Sequence, residues 1–459
     1  MDFSQDQVWK LLMQFTLLFA AMLVGNMIRR QIPFIRRFYI PSALIGGVLL
    51  LAFKQIPAVA AFIDDETMQM VTYHCLGLGF AAMAIKTPKE KRKVPTVKIV
   101  ESGAIMAGSY LLQAILGLGI SIAFYFIAKS FYAAGLILPM GFGQSTGSAL
   151  SWGSKYELNF GFAGGASYGL AVASIGFLVG SVVGVIALNH NIRKGRVRPR
   201  RQNTEEVEVL SEKNEIPNSE SVDKLSIQFC FVALAYGLSY GFMLLLTLLG
   251  KKTNIAAIGD LAWGLNFLWG LLFGFLIRLT VQTLNKRKII NHNYVSNHLM
   301  DRISGFCFDL MIVAGVTAID FEDIRKNWLL LLVTCTLGTL VTFFYVKKAT
   351  RHAYPGYEVE GFVTNFGTVT GTVSTGMILL REIDPNFVTP AASNIVLQNI
   401  PSLVMLAPLL LTMGFAASSL THTLIMLGVY LVLFVAYNIF LFRRKLFHKK
   451  PEEPWSNEL

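Results

Sequence analysis

The sequence predicts an all-α polytopic membrane protein. Two inverted five-helix repeats each carry a Gly-rich re-entrant hairpin, and one extra C-terminal transmembrane helix follows. Composition, the sidedness of its charges and a motif that occurs twice predict this class. Of 459 residues, 54% are hydrophobic and only 15% charged, with a mean hydropathy of +0.53. Such values exclude a soluble enzyme of ordinary composition and a disordered chain. A bilayer crossing takes roughly 20 apolar residues, so the length allows about ten to twelve crossings. In a soluble protein the net charge of +12 would suggest nucleic acid. Here the cations belong to loops that meet anionic lipid, no base-reading motif accompanies them, and no nucleic-acid partner is expected.

In chain order, apolar runs near 8–28, 40–54, 68–85, 103–127 and 160–188 make the first five spans. Runs near 226–249, 262–279, 303–319, 328–346 and 388–414 make the next five, and an eleventh lies near 419–442. The N-terminal run is not a cleaved signal: it carries Asp2 and Asp6 ahead of a long apolar stretch ending in Arg29-Arg30. Clusters such as Arg36-Arg37, Lys91-Arg92-Lys93, Arg200-Arg201, Lys286-Arg287-Lys288, Lys347-Lys348 and Arg443-Arg444-Lys445 follow alternate spans. All fall on one side if the spans alternate, whereas Asp64, Asp65, Glu66, Asp320, Glu322 and Asp323 fall on the other. The positive-inside rule then puts the N-terminus outside and the C-terminus in the cytoplasm. Residues 190–224, basic and then acidic, read as a flexible cytoplasmic linker. The division is therefore 1–189, the linker, 225–414, and 415–459 for the extra helix and basic tail. Cys75, Cys230, Cys307 and Cys335 lie in apolar runs without metal-ligand spacing and read as small buried hydrophobes.

Five is odd, so the second set of spans is inverted relative to the first, as in many secondary transporters. Between spans four and five lies PMGFGQSTGSALSWGSKYE, and between nine and ten VTNFGTVTGTVSTGMILLREI. Both contain F-G-x-x-T-G-[ST]-[AV]: Phe142, Gly143, Thr146, Gly147, Ser148 and Ala149 in one, Phe366, Gly367, Thr370, Gly371, Thr372 and Val373 in the other. These segments are too rich in Gly, Ser and Thr to face lipid, yet too apolar for an aqueous loop. Irregular backbone at membrane depth is tolerated where protein buries it or a cavity exposes it. Two re-entrant segments, about 134–152 and 360–380, are therefore expected to enter from opposite sides and meet near the midplane. Amides at the broken helix starts attract carboxylate, and freed carbonyls and hydroxyls can ligate Na+. The candidate substrate-binding residues are Gly143, Gln144, Ser145, Thr146, Gly147, Ser148, Asn365, Gly367, Thr368, Thr370, Gly371 and Thr372. Asn394 and Gln398, four apart on one face of span ten, could line the path.

With IPSALIGGVLLL at 40–51, GFGQSTGSALSW at 141–152 and NFGTVTGTVSTG at 365–376, the chain resembles the bacterial sodium/glutamate symporter family from span one to span ten. The resemblance implies two inverted five-helix halves with re-entrant segments and Na+-coupled uptake of glutamate or a close acidic relative. It also implies a bacterial inner-membrane location and a dimeric scaffold. Na+ is then the coupling ion, with no organic cofactor.

Asp309 sits mid-span in SGFCFDLMIVAG, where a carboxylate costs about 2.5–3.5 kcal/mol on insertion scales. It is expected to face the bundle interior and, with Thr146 and Thr370, to couple the cation. His74 reads as an interhelical hydrogen-bonding residue. Lys155 and Arg381 follow the hairpins and could receive a carboxylate or anchor an interface. Gly176, Gly180 and Gly184 form a smooth stripe for close helix packing. Residues 143–147 also fit G-x-S-x-G, and with His74 could suggest an intramembrane serine protease. That pattern has mechanical meaning on a strand-turn-helix elbow, which nothing here resembles, and Val369 replaces Ser145 in the second copy. A channel of opposed hairpins is the other alternative, but no acidic ring marks a filter.

Overall fold

The structure, a computed structural model, describes residues 6–87, 95–197, 224–253, 259, 262–290, 292–385 and 387–446. Most of the linker and the end of the basic tail lie outside them. The described helices are α1 (Asp6–Gln31), α2 (Pro33–Arg37), α3 (Ser42–Phe53), α4 (Pro57–Ala60), α5 (Asp65–Ile85) and α6 (Thr96–Ala128). After α6 come α7 (Ile137–Pro139), α8 (Thr146–Phe160), α9 (Gly165–Arg193), α10 (Lys224–Thr253), α11 (Asn266–Lys286) and α12 (Asn297–Thr317). The chain ends in α13 (Phe321–Ala353), α14 (Glu358–Thr370), α15 (Val373–Arg381), α16 (Ala391–Leu397), α17 (Asn399–Ala417) and α18 (Leu420–Leu446). No strand occurs among the described residues.

Every apolar run read from the sequence coincides with a helix, but not every such helix is long and apolar enough to cross. Among the described residues eight are, or nine if α16 and the part of α17 from Pro401, bent by 46°, count as one. The protein is thus an all-helical, multi-pass membrane protein. α3 has 12 residues, roughly 18 Å of helix against a hydrocarbon core of roughly 30 Å. α12 carries Asp301, Arg302 and Asp309 within its 21 residues.

Contacts divide the chain into two compact units that cut across its sequence halves. The first holds α1 up to Gly25, α3 from Gly46, α4, α5, α10, α11 and α12. Here α5 packs on α11 and α12. Glycine makes the approach possible: a Cβ on Gly270 would stand 2.6 Å from the Gly77 carbonyl oxygen. The start of α5 is capped by Asp64, whose carboxylate accepts from the Thr67 amide at 3.0 Å. Hydrogen bonding from the Thr67 hydroxyl holds that carboxyl below its ordinary range. Cys75 and Cys307 are buried, but Cys230 is exposed on α10, which corrects the reading of all four as buried. A helix turned to lipid keeps its apolar side chains outside.

The second unit holds the remaining described helices, including α6, α9, α13 and everything after α13. Its packing places Ile105 of α6, Ala349 of α13, Leu380 of α15 and Leu441 of α18 in one buried cluster. Beside it Glu101, 4% exposed at the side chain, pairs with Lys98 at 3.0 Å and with Arg443 of α18 at 2.8 Å.

Candidate functional site

Both glycine-rich segments fold as interrupted helices in the second unit. The first begins as a 3-10 turn at Ala134–Leu136, continues through α7, and widens to a π-turn over Met140–Gln144. It breaks at Ser145, whose backbone is extended with φ 168°, and resumes as α8. Glycines weaken the segment before the break, and Ser145 restarts the helix by accepting from the Ser148 amide at 3.3 Å. The second runs as α14 to Thr370, breaks at Gly371 and Thr372, and resumes as α15. Thr372 accepts from the Thr375 amide, also at 3.3 Å. The two breaks therefore share one device, a hydroxyl residue capping the amide three positions on.

That correspondence differs from the motif read in the sequence. The motif pairs Thr146 with Thr370, yet Thr146 opens the helix after its break whereas Thr370 closes the helix before its break. The hydroxyl caps pair Ser145 with Thr372 instead. Local capping chemistry, not the repeated letters, sets where each helix stops.

α9 brings the breaks together. A Cβ on Gly176 would lie 2.7 Å from the Thr370 carbonyl oxygen and 3.1 Å from Phe142. One on Gly180 would lie 3.1 Å from the Thr370 hydroxyl, and one on Gly184 would lie 2.6 Å from Leu379. The glycine stripe is thus the surface on which the second break rests, with the first break touching it at Gly176. α6 closes another side. Tyr110 packs against Gly143, and Gln113 donates to the Val369 carbonyl at 3.0 Å and to Thr342 at 3.1 Å. Around the breaks Ser145, Thr146, Ser148, Asn365, Thr368 and Thr370 are each at most 2% exposed, while Gln144 and Thr372 are half-buried. Gly143, Gly147, Gly367 and Gly371 are buried with them.

Several buried oxygens here lack a hydrogen-bond partner: the Thr146 hydroxyl, the Tyr110 hydroxyl and the carbonyl oxygens of Gln113 and Asn365. An orphaned buried acceptor costs about 1–3 kcal/mol, so oxygens left unpartnered beside the breaks suit a cation or an ammonium. Among the described residues no group of three or more His, Cys, Asp or Glu could hold a metal ion. A monovalent cation here would therefore rely on neutral oxygens.

Other expected residues fall elsewhere. Asn394 donates to the Tyr357 hydroxyl at 3.0 Å and Gln398 reaches the Met106 sulfur at 3.7 Å. Their side-chain oxygens are buried and unpartnered. Asp309 belongs to the first unit and is exposed on α12, beside exposed Gly305 and Phe306. This corrects the expectation that it faces its bundle's interior. His74, also in the first unit, hydrogen-bonds the Tyr236 hydroxyl at 2.8 Å. Lys155 lies over the Trp152 ring at 4.9 Å, and Arg381 over Phe387 at 5.4 Å, both contacts of anchors. Sequence reasoning missed Tyr110 and Gln113. The signal was present, since Gln113 is a lone amide in the apolar run YLLQAILG.

No curated protein matches the chain. Residues 9–354 match the family model described as sodium/glutamate symporter. The match ends before α14, so the second break and α18 lie beyond it.

Proposed function

The chain belongs to the sodium/glutamate symporter family, and from that premise we propose that it imports glutamate, or a closely related acidic amino acid or dicarboxylate, by Na+-coupled symport with alternating access. The family is one of transporters, not of enzymes. The observation that carries this reading is the meeting of two capped helix breaks on α9, with unpartnered oxygens buried beside them.

In this mechanism the breaks are tips of re-entrant hairpins entering from opposite sides, in two inverted repeats. Amides at the starts of α8 and α15 take the substrate carboxylates, because helix starts leave N–H groups unpaired and carry partial positive charge. Carbonyls at the ends of the preceding helices hold Na+ together with the hydroxyls of Thr146 and Thr370. Asn394 and Gln398 line the path, and Asp309 takes part in cation coupling. Glutamate brings net negative charge into a site of low dielectric, where it is costly unless compensated. Na+ beside it supplies the compensation, so each ligand strengthens binding of the other. Movement of one block of helices against a fixed scaffold then alternates access. The protein works as a homodimer in the bacterial inner membrane, N-terminus outside and C-terminus cytoplasmic.

Uptake of labelled glutamate into proteoliposomes tests the proposal. Uptake should saturate, collapse without a Na+ gradient, and yield to close acidic competitors. Glutamate that neither enters nor competes defeats the substrate assignment, and flux that never saturates defeats the carrier.

A further inference from the structure

A cavity of about 850 Å³ opens between the last turns of α13 and α18, within the second unit and away from the helix breaks. α18 gives it an apolar wall: Val435, Ile439 and Phe442 recur at helical spacing over roughly 10 Å. Lys348, Arg351 and Lys445 line the same cavity. Among the described residues none of these three cations pairs with a carboxylate. Glu101 of α6, a carboxylate near the start of that helix, is already held by Lys98 and Arg443. His352 adds a ring nitrogen, Nε2, that is buried without a partner, its ring 5.1 Å from that of Phe442. Lys348 Nζ stands 5.8 Å from the same ring.

Cations at one end of an apolar trough call for a ligand with an anionic head and a hydrocarbon tail. A small soluble anion leaves the trough exposed, and a zwitterionic head brings a second cation against Lys348 and Arg351. Basic pockets between helix ends are where acidic lipid heads bind. We propose that this groove holds one anionic phospholipid, its phosphodiester at Lys348, Arg351 and Lys445 and an acyl chain along Val435, Ile439 and Phe442. Part of the site stands on α18, outside the stretch that matches the family. The site requires a membrane protein but not the substrate assignment.

Native mass spectrometry of the full chain, with phosphatidylglycerol or phosphatidylcholine added to the detergent, tests this. One retained phosphatidylglycerol per chain is expected, surviving delipidation that removes phosphatidylcholine. Two variants separate head from tail. Lys348→Glu with Arg351→Glu reverses the charge, and Val435→Trp fills the trough while keeping every cation. Each should lower retention by about tenfold or more, whereas Lys348→Arg should keep it. Melting in lipid-free detergent identifies a variant that fails to fold, and the remaining variant then decides. Equal retention of both lipids, unchanged retention in a folded variant, or a chain that retains no phosphatidylglycerol overturns the proposal.

Discussion

Gly176 has no room for a side chain, because the Thr370 carbonyl and Phe142 occupy that space from opposite breaks. Gly176→Val should force them apart, with an overpacking strain of about 1–3 kcal/mol. Glutamate uptake should fall by about tenfold or more while the protein still reaches the membrane; undiminished uptake would mean the breaks need not meet there. Residues of the helix breaks were legible where composition marks them. A segment dense in Gly, Ser and Thr between apolar helices cannot be an ordinary span, and Ser145, Thr146, Thr370 and Gly371 follow from that. Register was not legible, because F-G-x-x-T-G recurs in letters while hydroxyl caps at Ser145 and Thr372 decide where each helix restarts. Asp309 shows another limit: the cost of a carboxylate in a span says that it needs company, not which face it takes.

Helix ends carry the predictions at the scale of the element. Asp64 caps α5, and its carboxyl is held low by the Thr67 hydroxyl. Asp64→Ala should cost about 0.5–2 kcal/mol. The charged cap's contribution is fully present above the free carboxyl's pKa of about 3.9 and is lost as pH falls through the lower folded value. Melting measured against pH should show that acid-side loss in the parent and not in Asp64→Asn. At the other end of the helix scale, α18 is fastened to α6 through Arg443 and Glu101 at 2.8 Å. Glu101→Gln removes the buried carboxylate that Lys98 and Arg443 share and should destabilise by about 3–5 kcal/mol, seen as a lower melting temperature in detergent. Helices themselves were legible from apolar runs, since hydropathy responds to length and composition. The shortness of α3 and the bend between α16 and α17 were not, because both depend on where local hydrogen bonding stops.

For the whole molecule, the two sequence halves and the two compact units are different divisions of the chain. Helices α6 and α13, on which the fourth apolar run of each sequence half falls, each have 33 residues, and both join the second unit with the interrupted helices that follow them. Charge pattern and span counting reach the halves; regrouping into units depends on side-chain packing between distant segments, which a linear reading does not contain. Symport that moves one net positive charge inward per cycle gains about 2.3 kcal/mol per 100 mV. An inside-negative potential of that size should raise steady-state glutamate accumulation about fiftyfold. Accumulation indifferent to potential would mean that the cycle is electroneutral. Helix α18 bears on the same cycle. Only 11% of its apolar window is buried, yet it is bolted to the unit that holds both breaks. A displacement of that unit would carry this helix through the acyl chains with it. Turnover should therefore slow as the bilayer grows more viscous, with the equilibrium affinity for glutamate untouched, so that membrane friction becomes part of the transport rate.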